Sequence, residues 1–388
     1  MAGIPNYVGP AAMGLEMGVI TPGMDIVNEV FKIVKKVHED HLLNDGDVIC
    51  ITESVVARAQ DNYIEVNEVS KIIKEALDLQ NNGTVGVVFP ITSRNRFSMI
   101  LESIARAVPE GKVIVQFSYP SDEVGNQVIS PEFVEELNKD LITMKDIDEE
   151  ECIHPITEVN YLKYYQEIIK ETGANSEIIL CNDPKQIMKY DPDGVIAADI
   201  HTREKTKRSI MEETNNCITL DDVCTEGDTC SKWGLLGSNM SSGDRLKLAP
   251  KNGEKVINDL QQKVKSELGV NVEAIIYGDG AYKDPSSGIY ELADPRPAVA
   301  ATNGLDHFRR GVKYKYIADK YYYEENKEPE EIEKILDEKK TENKSENSIE
   351  KEGTTPRRME DLLGSLADLV SGSADAGTPV VLIKNFLG

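Results

Sequence analysis

The chain has 388 residues, 40% of them hydrophobic and 29% charged, with a formal net charge of −25. That length supports two or three domains around a sizeable core. The acidity argues against nucleic acid as a main partner, because phosphate neutralisation needs a basic face. It leaves room for a small anionic substrate in a local cationic pocket.

Met1 to Gly18 lacks the charged stretch and apolar run of a secretory leader, and no apolar run reaches the length of a membrane span. Cysteines are sparse, and Cys50 and Cys181 sit in apolar runs as free thiols. Cys217, Cys224 and Cys230 match no zinc spacing. These features predict a cytoplasmic protein with no membrane partner.

Along the chain, Met24 to His38 has the apolar spacing of a helix, with Ile26, Val27, Val30, Phe31 and Val34 on one face. A short strand, Val48 to Ile51, follows the turn pair Asp45-Gly46 and stops at Thr52-Glu53-Ser54, with Arg58 four residues on. Clustered hydroxyl, carboxylate and guanidinium groups at a strand's carboxyl end suit a ligand crevice. Ser54 as a plain helix cap is the other reading.

Alternation continues with a helix at 66–79, a strand at 84–89, a helix at 97–107 and a strand at 112–117. This pattern predicts parallel strands with crossover helices. Residues 120–150 are polar and irregular. A second alternation follows: helix 158–171, strand 177–181, a short helix after Pro184 and strand 195–199. It ends in a basic loop, His201 to Arg208. Trp233 to Asp244 reads as a glycine- and hydroxyl-rich loop. A helix at 253–268 leads to a strand at 272–277 that ends in Gly278-Asp279-Gly280. Residues 324–352 carry twelve acidic residues and six lysines, which predicts an exposed helix or a disordered insertion. A helix at 359–370, the small-residue loop 371–379 and a strand at 380–383 close the chain.

The fold class is therefore mixed α/β (α+β), a core with mixed sheets plus an inserted α/β subdomain. The expected divisions are 1–90, 91–215 (the insertion), 216–320, 321–355 (acidic) and 356–388.

Three loops carry the candidate chemistry. Small residues at 371–379 let backbone N–H groups approach an anion, although a helix cap and turn has the same composition. Asp279 between glycines suits a hard divalent cation, with Asp284 and Asp294 to assist, and equally suits a turn. Arg94 and Arg96, between a strand and a helix, and Arg203 in the basic loop, are candidate substrate-binding cations. No H-E-x-x-H, G-x-S-x-G or strand-following G-x-G-x-x-G occurs.

With these pieces in order, the chain resembles the coenzyme F-420-0:L-glutamate ligase (F-420 γ-glutamyl ligase) family, as a divergent bacterial-type member with insertions. Val19-Ile20-Thr21-Pro22-Gly23 is similar to the family's N-terminal nucleotide loop, and Gly46-Asp47-Val48 to Ala59 to its G-D-V strand with hydroxyls and a basic residue. Gly237-Ser238-Asn239-Met240 is similar to its A-S-N-V stretch. Ala274 to Asp279 is similar to the strand ending in its metal aspartate, and 371–379 to its last nucleotide loop. The segments near 90–215 and 324–352 lie outside the traced resemblance.

The resemblance implies a ligase that uses GTP as co-substrate and Mg²⁺ or Mn²⁺ to join L-glutamate to a small-molecule carboxylate acceptor through an acyl phosphate. It also implies a homodimer. Carried over, Val19, Ile20, Glu53, Ser54, Arg58 and Asn239 would face the nucleotide. Gly372, Ser373, Ala374, Asp375, Ala376, Gly377, Thr378 and Pro379 would wrap it. Arg58 and Asp279 would be catalytic, and Asp279, Gly280 and Glu53 would serve the metal. The departures are Arg58 for a lysine, Glu53 for a hydroxyl, Leu236 for the first metal aspartate, Gly280 for a hydroxyl, and a less glycine-rich last loop. Leu236 and Gly280 favour the alternative, a nucleotide-binding regulatory or scaffold protein built on the ligase fold without its activity, whereas Asp279, Arg58 and the last loop argue for the ligase.

Overall fold

The structure, a computed structural model, describes residues 7–280, 282–283, 287, 290–291, 294–309, 311–341, 348–351, 357–371 and 377–387. The strands come first. In chain order they are β1 (Ala11–Leu15), β2 (Val48–Thr52), β3 (Tyr63–Glu65), β4 (Thr84–Val88), β5 (Lys112–Phe117), β6 (Ile142–Thr143), β7 (Asn175–Leu180) and β8 (Gly194–Ala197). There follow β9 (Cys217–Thr219), β10 (Asn239–Met240), β11 (Arg245–Lys247), β12 (Glu273–Tyr277), β13 (Tyr282–Lys283), β14 (Tyr290–Glu291), β15 (Ala298–Ala301) and β16 (Val380–Lys384). The helices are α1 (Ile26–Glu39), α2 (Glu53–Ala59), α3 (Val66–Ala76), α4 (Arg94–Ala107), α5 (Pro131–Leu137), α6 (Tyr161–Glu171), α7 (Arg203–Ile210), α8 (Gly253–Leu268), α9 (Tyr314–Asp319), α10 (Pro329–Thr341) and α11 (Met359–Ser371).

Two sheets organise the molecule, as the mixed α/β class requires. The first has the order β1-β16-β2-β12-β15. Its central pair, β2 and β12, is parallel, and β16 runs antiparallel to β2. Helices α1 and α8 cover one face through Val30, Val34, Ile257 and Leu260, and α11 covers the other through Leu363 and Ala367. Helix α1 starts at Ile26 rather than Met24 because the Asp25 side chain caps the Asn28 N–H at 3.1 Å.

The second sheet has the order β6-β7-β5-β4-β8-β9, parallel except for β6. The chain enters at β4, winds to β5 and β7 on one side, then returns to β8 and β9 on the other. This is a doubly wound sheet with its topological switch point between β4 and β8. It begins at Thr84, so the expected boundary at 90 falls inside its first βα unit. A small third sheet, β10-β11-β3, packs under α4.

Three local expectations need correction. The basic stretch after His201 is a helix, α7, not a loop, because Thr206 and Ile210 lie four apart and both bury. Residues 120–150 contain α5 and the edge strand β6. The acidic segment is not wholly exposed: Ile332 and Leu336 of α10 pack with Ile317 of α9 in a satellite core. Among the described residues, no helix is long and apolar enough to cross a membrane.

Candidate active site

The parallel register of β2 and β12 decides where the site lies. Tyr277 sits opposite Thr52, so both strands end side by side. Past these ends come Glu53-Ser54 from one chain segment and Gly278-Asp279 from the other. The Thr52 N–H donates to the Pro379 carbonyl at 2.9 Å, which brings the start of β16 to the same edge. Carboxyl ends of parallel strands open onto such crevices because the chain turns away there.

The crevice is a cleft of about 380 Å³, lined among others by Glu53, Ser54, Arg58, Asn239, Arg96 and Asp279. Its size suits a small-molecule site. Six residues picked from sequence therefore share one cleft. Lys247, Asn95 and Asp368 line it as well.

The charges form two linked groups. In one, Lys247 on β11 reaches both oxygens of Glu53, at 2.9 and 2.7 Å, and the Ser54 hydroxyl at 3.3 Å. Burial pushes the Glu53 carboxyl upward, and Lys247 pulls it back. In the other, the Arg96 guanidinium forks between Asp279 and Asp294, meeting Asp294 at 2.7 Å. Burial works against the Arg96 charge, but the two aspartates outweigh it and raise its pKa. Asp294 also accepts the Asp279 N–H at 2.7 Å, and Asp368 accepts the Gly280 N–H at 2.9 Å. Partial burial pushes the Asp279 carboxyl upward, Arg96 pulls it down, and Asp294 and Asp368 add to the rise. Glycine is required at 278, since a Cβ there would stand 2.2 Å from an Asp294 oxygen.

Arg58 differs from the other cations. It lies in the last turn of α2, exposed at the rim, and makes no ion pair among the described residues. A guanidinium placed so is open to an incoming phosphate or carboxylate.

The remaining sequence candidates are placed otherwise. Val19 is exposed and Ile20 is buried in the core with α1; neither lines the cleft. The segment around them still runs close by, since the Met17 N–H donates to the Gly377 carbonyl at 3.1 Å and the Gly23 N–H to that of Ala59 at 2.9 Å. Thr378 packs so closely on β1 that a Cβ at Gly14 would meet its Cβ at 2.9 Å. Gly372, Ser373, Ala374, Asp375 and Ala376 lie outside the described residues, as does Asp284. Arg94 lies beside Tyr161 of α6 and does not line the cleft. Arg203 pairs with Asp221 at 2.8 Å and lines a separate pocket. Leu236 is buried in the apolar core.

Two lining residues gave no signal in the sequence. Lys247 sits in a three-residue strand, and Asp368 in a helix whose pattern shows only its apolar face. As for a metal, no group of three or more histidine, cysteine or acidic side chains is arranged to hold one among the described residues. The oxygen donors at Asp279 and Asp368 nevertheless suit a hard cation that arrives with phosphate, since Mg²⁺ commonly takes one or two carboxylates plus substrate oxygens.

A doubly wound domain and a mixed sheet meeting at a charged cleft make an α/β enzyme architecture. The chain belongs to the F420-0:Gamma-glutamyl ligase family, whose model matches residues 14–385. Ligase is thus its class. The match runs through 90–215 and 324–352, so the segments expected to lie outside the resemblance fall within the family's span. No curated protein matches the chain.

Proposed function

We propose that the protein joins L-glutamate to the carboxylate of a small acceptor, driven by GTP. An acceptor oxygen attacks the γ-phosphorus, the bond to the bridging oxygen breaks, and GDP leaves. The glutamate nitrogen then forms the C–N bond while phosphate departs with the C–O electron pair and the ammonium proton is released. Such chemistry rests on positioning and charge neutralisation.

The carrying observation is the side-by-side ending of β2 and β12, which sets Arg58 and Asp279 on one cleft. Arg58, at the rim and without an ion pair among the described residues, takes the phosphate charge. Glu53 and Ser54 orient Lys247 inside the cleft. Asp279, with Asp368 near it, would hold Mg²⁺ or Mn²⁺, which supplies neutralisation of the phosphate oxygens. Gly377, Thr378 and Pro379 would serve as the cleft's third edge, since Pro379 accepts the Thr52 N–H and Gly377 accepts that of Met17 in the N-terminal segment. The working unit is a cytoplasmic homodimer, for which exposed Phe308, Tyr314 and Leu369 offer apolar surface; light scattering after gel filtration checks the dimer.

A regulatory protein without ligase activity is favoured by one observation, the burial of Leu236 where a metal aspartate would stand. The test is a thermal-shift screen of GTP and ATP with Mg²⁺ or Mn²⁺. A nucleotide at a hundred times its Kd stabilises the native state by about 2.7 kcal/mol. Arg58→Ala and Asp279→Asn should each lose most of that shift. No shift with any nucleotide defeats both readings. A shift without phosphate release, when glutamate and a small-molecule extract are added, selects the regulatory one.

A further inference from the structure

A second pocket of about 260 Å³ lies apart from the cleft. It opens off the carboxyl ends of β8 and β9, beside the switch point of the doubly wound sheet, where ligands of such sheets bind. His201 comes from the β8–α7 connection, Arg203 from the first turn of α7 and Asp221 from just past β9; Lys232, Trp233 and Arg296 are also in the wall. Three permanent cations thus face one carboxylate, in a chain whose net charge is −25.

Each cation has a partner, but the partners do not close the pocket. Arg203 is fixed by Asp221 at 2.8 Å. Lys232 pairs with Glu254 and Arg296 with Glu360, and neither acid lines the wall. The Lys232–Glu254 pair is 50% and 54% exposed, and a pair so exposed contributes little, so Lys232 can turn to an incoming anion at small cost. Arg296 is partly exposed, although its partner Glu360 is buried. Arg296 can leave without stranding Glu360, which also meets Arg358 at 2.9 Å. The half-buried indole of Trp233 supplies a flat apolar face beside these charges.

We propose that this pocket is a second ligand site, for a phosphate carried on a flat ring. The phosphate lies among Arg203, Lys232 and Arg296, since guanidinium forks match phosphate oxygens. The ring stacks on Trp233. The site stands independently of the ligase reading. A nucleotide and a non-nucleotide aromatic phosphate share this chemistry.

Trp233 is the chain's single tryptophan, so its emission reports this pocket alone. The full-length protein is titrated with phenyl phosphate, inorganic phosphate and GTP. Phenyl phosphate should change the emission saturably, with half-saturation at least tenfold below that of inorganic phosphate. Lys232→Glu should raise that concentration tenfold or more, with an unchanged circular dichroism spectrum. Lys255→Glu, at an exposed position on α8, should leave it unchanged. GTP acting with the same Lys232 dependence identifies a nucleotide ligand; phenyl phosphate acting alone identifies a non-nucleotide one. No saturable change with phenyl phosphate, or an identical one in Lys232→Glu, overturns the proposal.

Discussion

Arg96→Met tests the charge network of the cleft. The Arg96 side chain is 12% exposed and its partners Asp294 and Asp279 are 4% and 47% exposed. Removing the guanidinium strands Asp294 in the protein interior, and breaking a buried pair from one side costs about 3–5 kcal/mol. The Asp279 half is open to solvent and adds less than about 1 kcal/mol. Asp294 keeps the Asp279 N–H, which offsets part of the loss. The expected destabilisation is therefore near the lower bound, about 3 kcal/mol. Urea unfolding of Arg96→Met, Asp294→Asn and the double variant measures it as a cycle. Since the double variant strands no charge between these two residues, it should be more stable than the sum of the single losses predicts, by about 2 kcal/mol. Additive losses would show that Arg96 and Asp294 do not interact, and the described cleft would be wrong at its centre.

Two further outcomes follow from buried charges elsewhere. Lys384 and Asp47 are 1% and 2% exposed and pair with each other, tying the last strand to the start of β2. Lys384→Met should cost about 3–5 kcal/mol in urea unfolding, and adding Asp47→Asn should recover much of it. Asp199 is held by the Thr202 and Thr206 hydroxyls, yet burial pushes its carboxyl up to about 6. An unfolded aspartate titrates near about 3.9, so the folded state holds its proton to higher pH. Its contribution is fully present below about pH 4 and is lost as pH rises through about 6. Asp199→Asn should therefore gain on the wild type across that window, by up to about 3 kcal/mol above it. Parallel stability profiles for the two proteins would contradict the assignment.

What the sequence disclosed was local. Helix α8 occupies the residues its spacing predicts, and Gly269, at φ 73°, ends it. The ends of β2 and β12 were readable because each strand is a short apolar run that stops in polar residues. Their pairing in parallel register was not readable, and that pairing makes the cleft. The same holds for its charges. Lys247 and Glu53 are 194 residues apart, and Arg96 and Asp279 are 183 apart. Neither pair leaves a spacing signal, because only tertiary packing relates them. Charge density also misled locally: at α7 and α10 it masked the few apolar positions that pack.

The residues between 91 and 215 read as an inserted α/β subdomain, and the geometry gives them a direct part in the cleft. Arg96 and Asn95 enter the cleft from the first turn of α4, which follows β4 at the switch point of the doubly wound sheet. That turn is clamped from two sides. The Tyr165 hydroxyl donates to the Ile91 carbonyl at 2.6 Å and accepts the Ser93 N–H at 3.0 Å. The buried Asp122 carboxylate accepts the Thr92 N–H at 2.7 Å and its hydroxyl at 2.8 Å. Both clamps come from within the second sheet's own layers, α6 and the loop after β5. A guanidinium forked between two aspartates needs its backbone fixed, because a fork tolerates little displacement. The mixed sheet supplies the carboxylates, and the doubly wound sheet supplies and holds the cation between them. The cleft is composite, and neither sheet alone contains it.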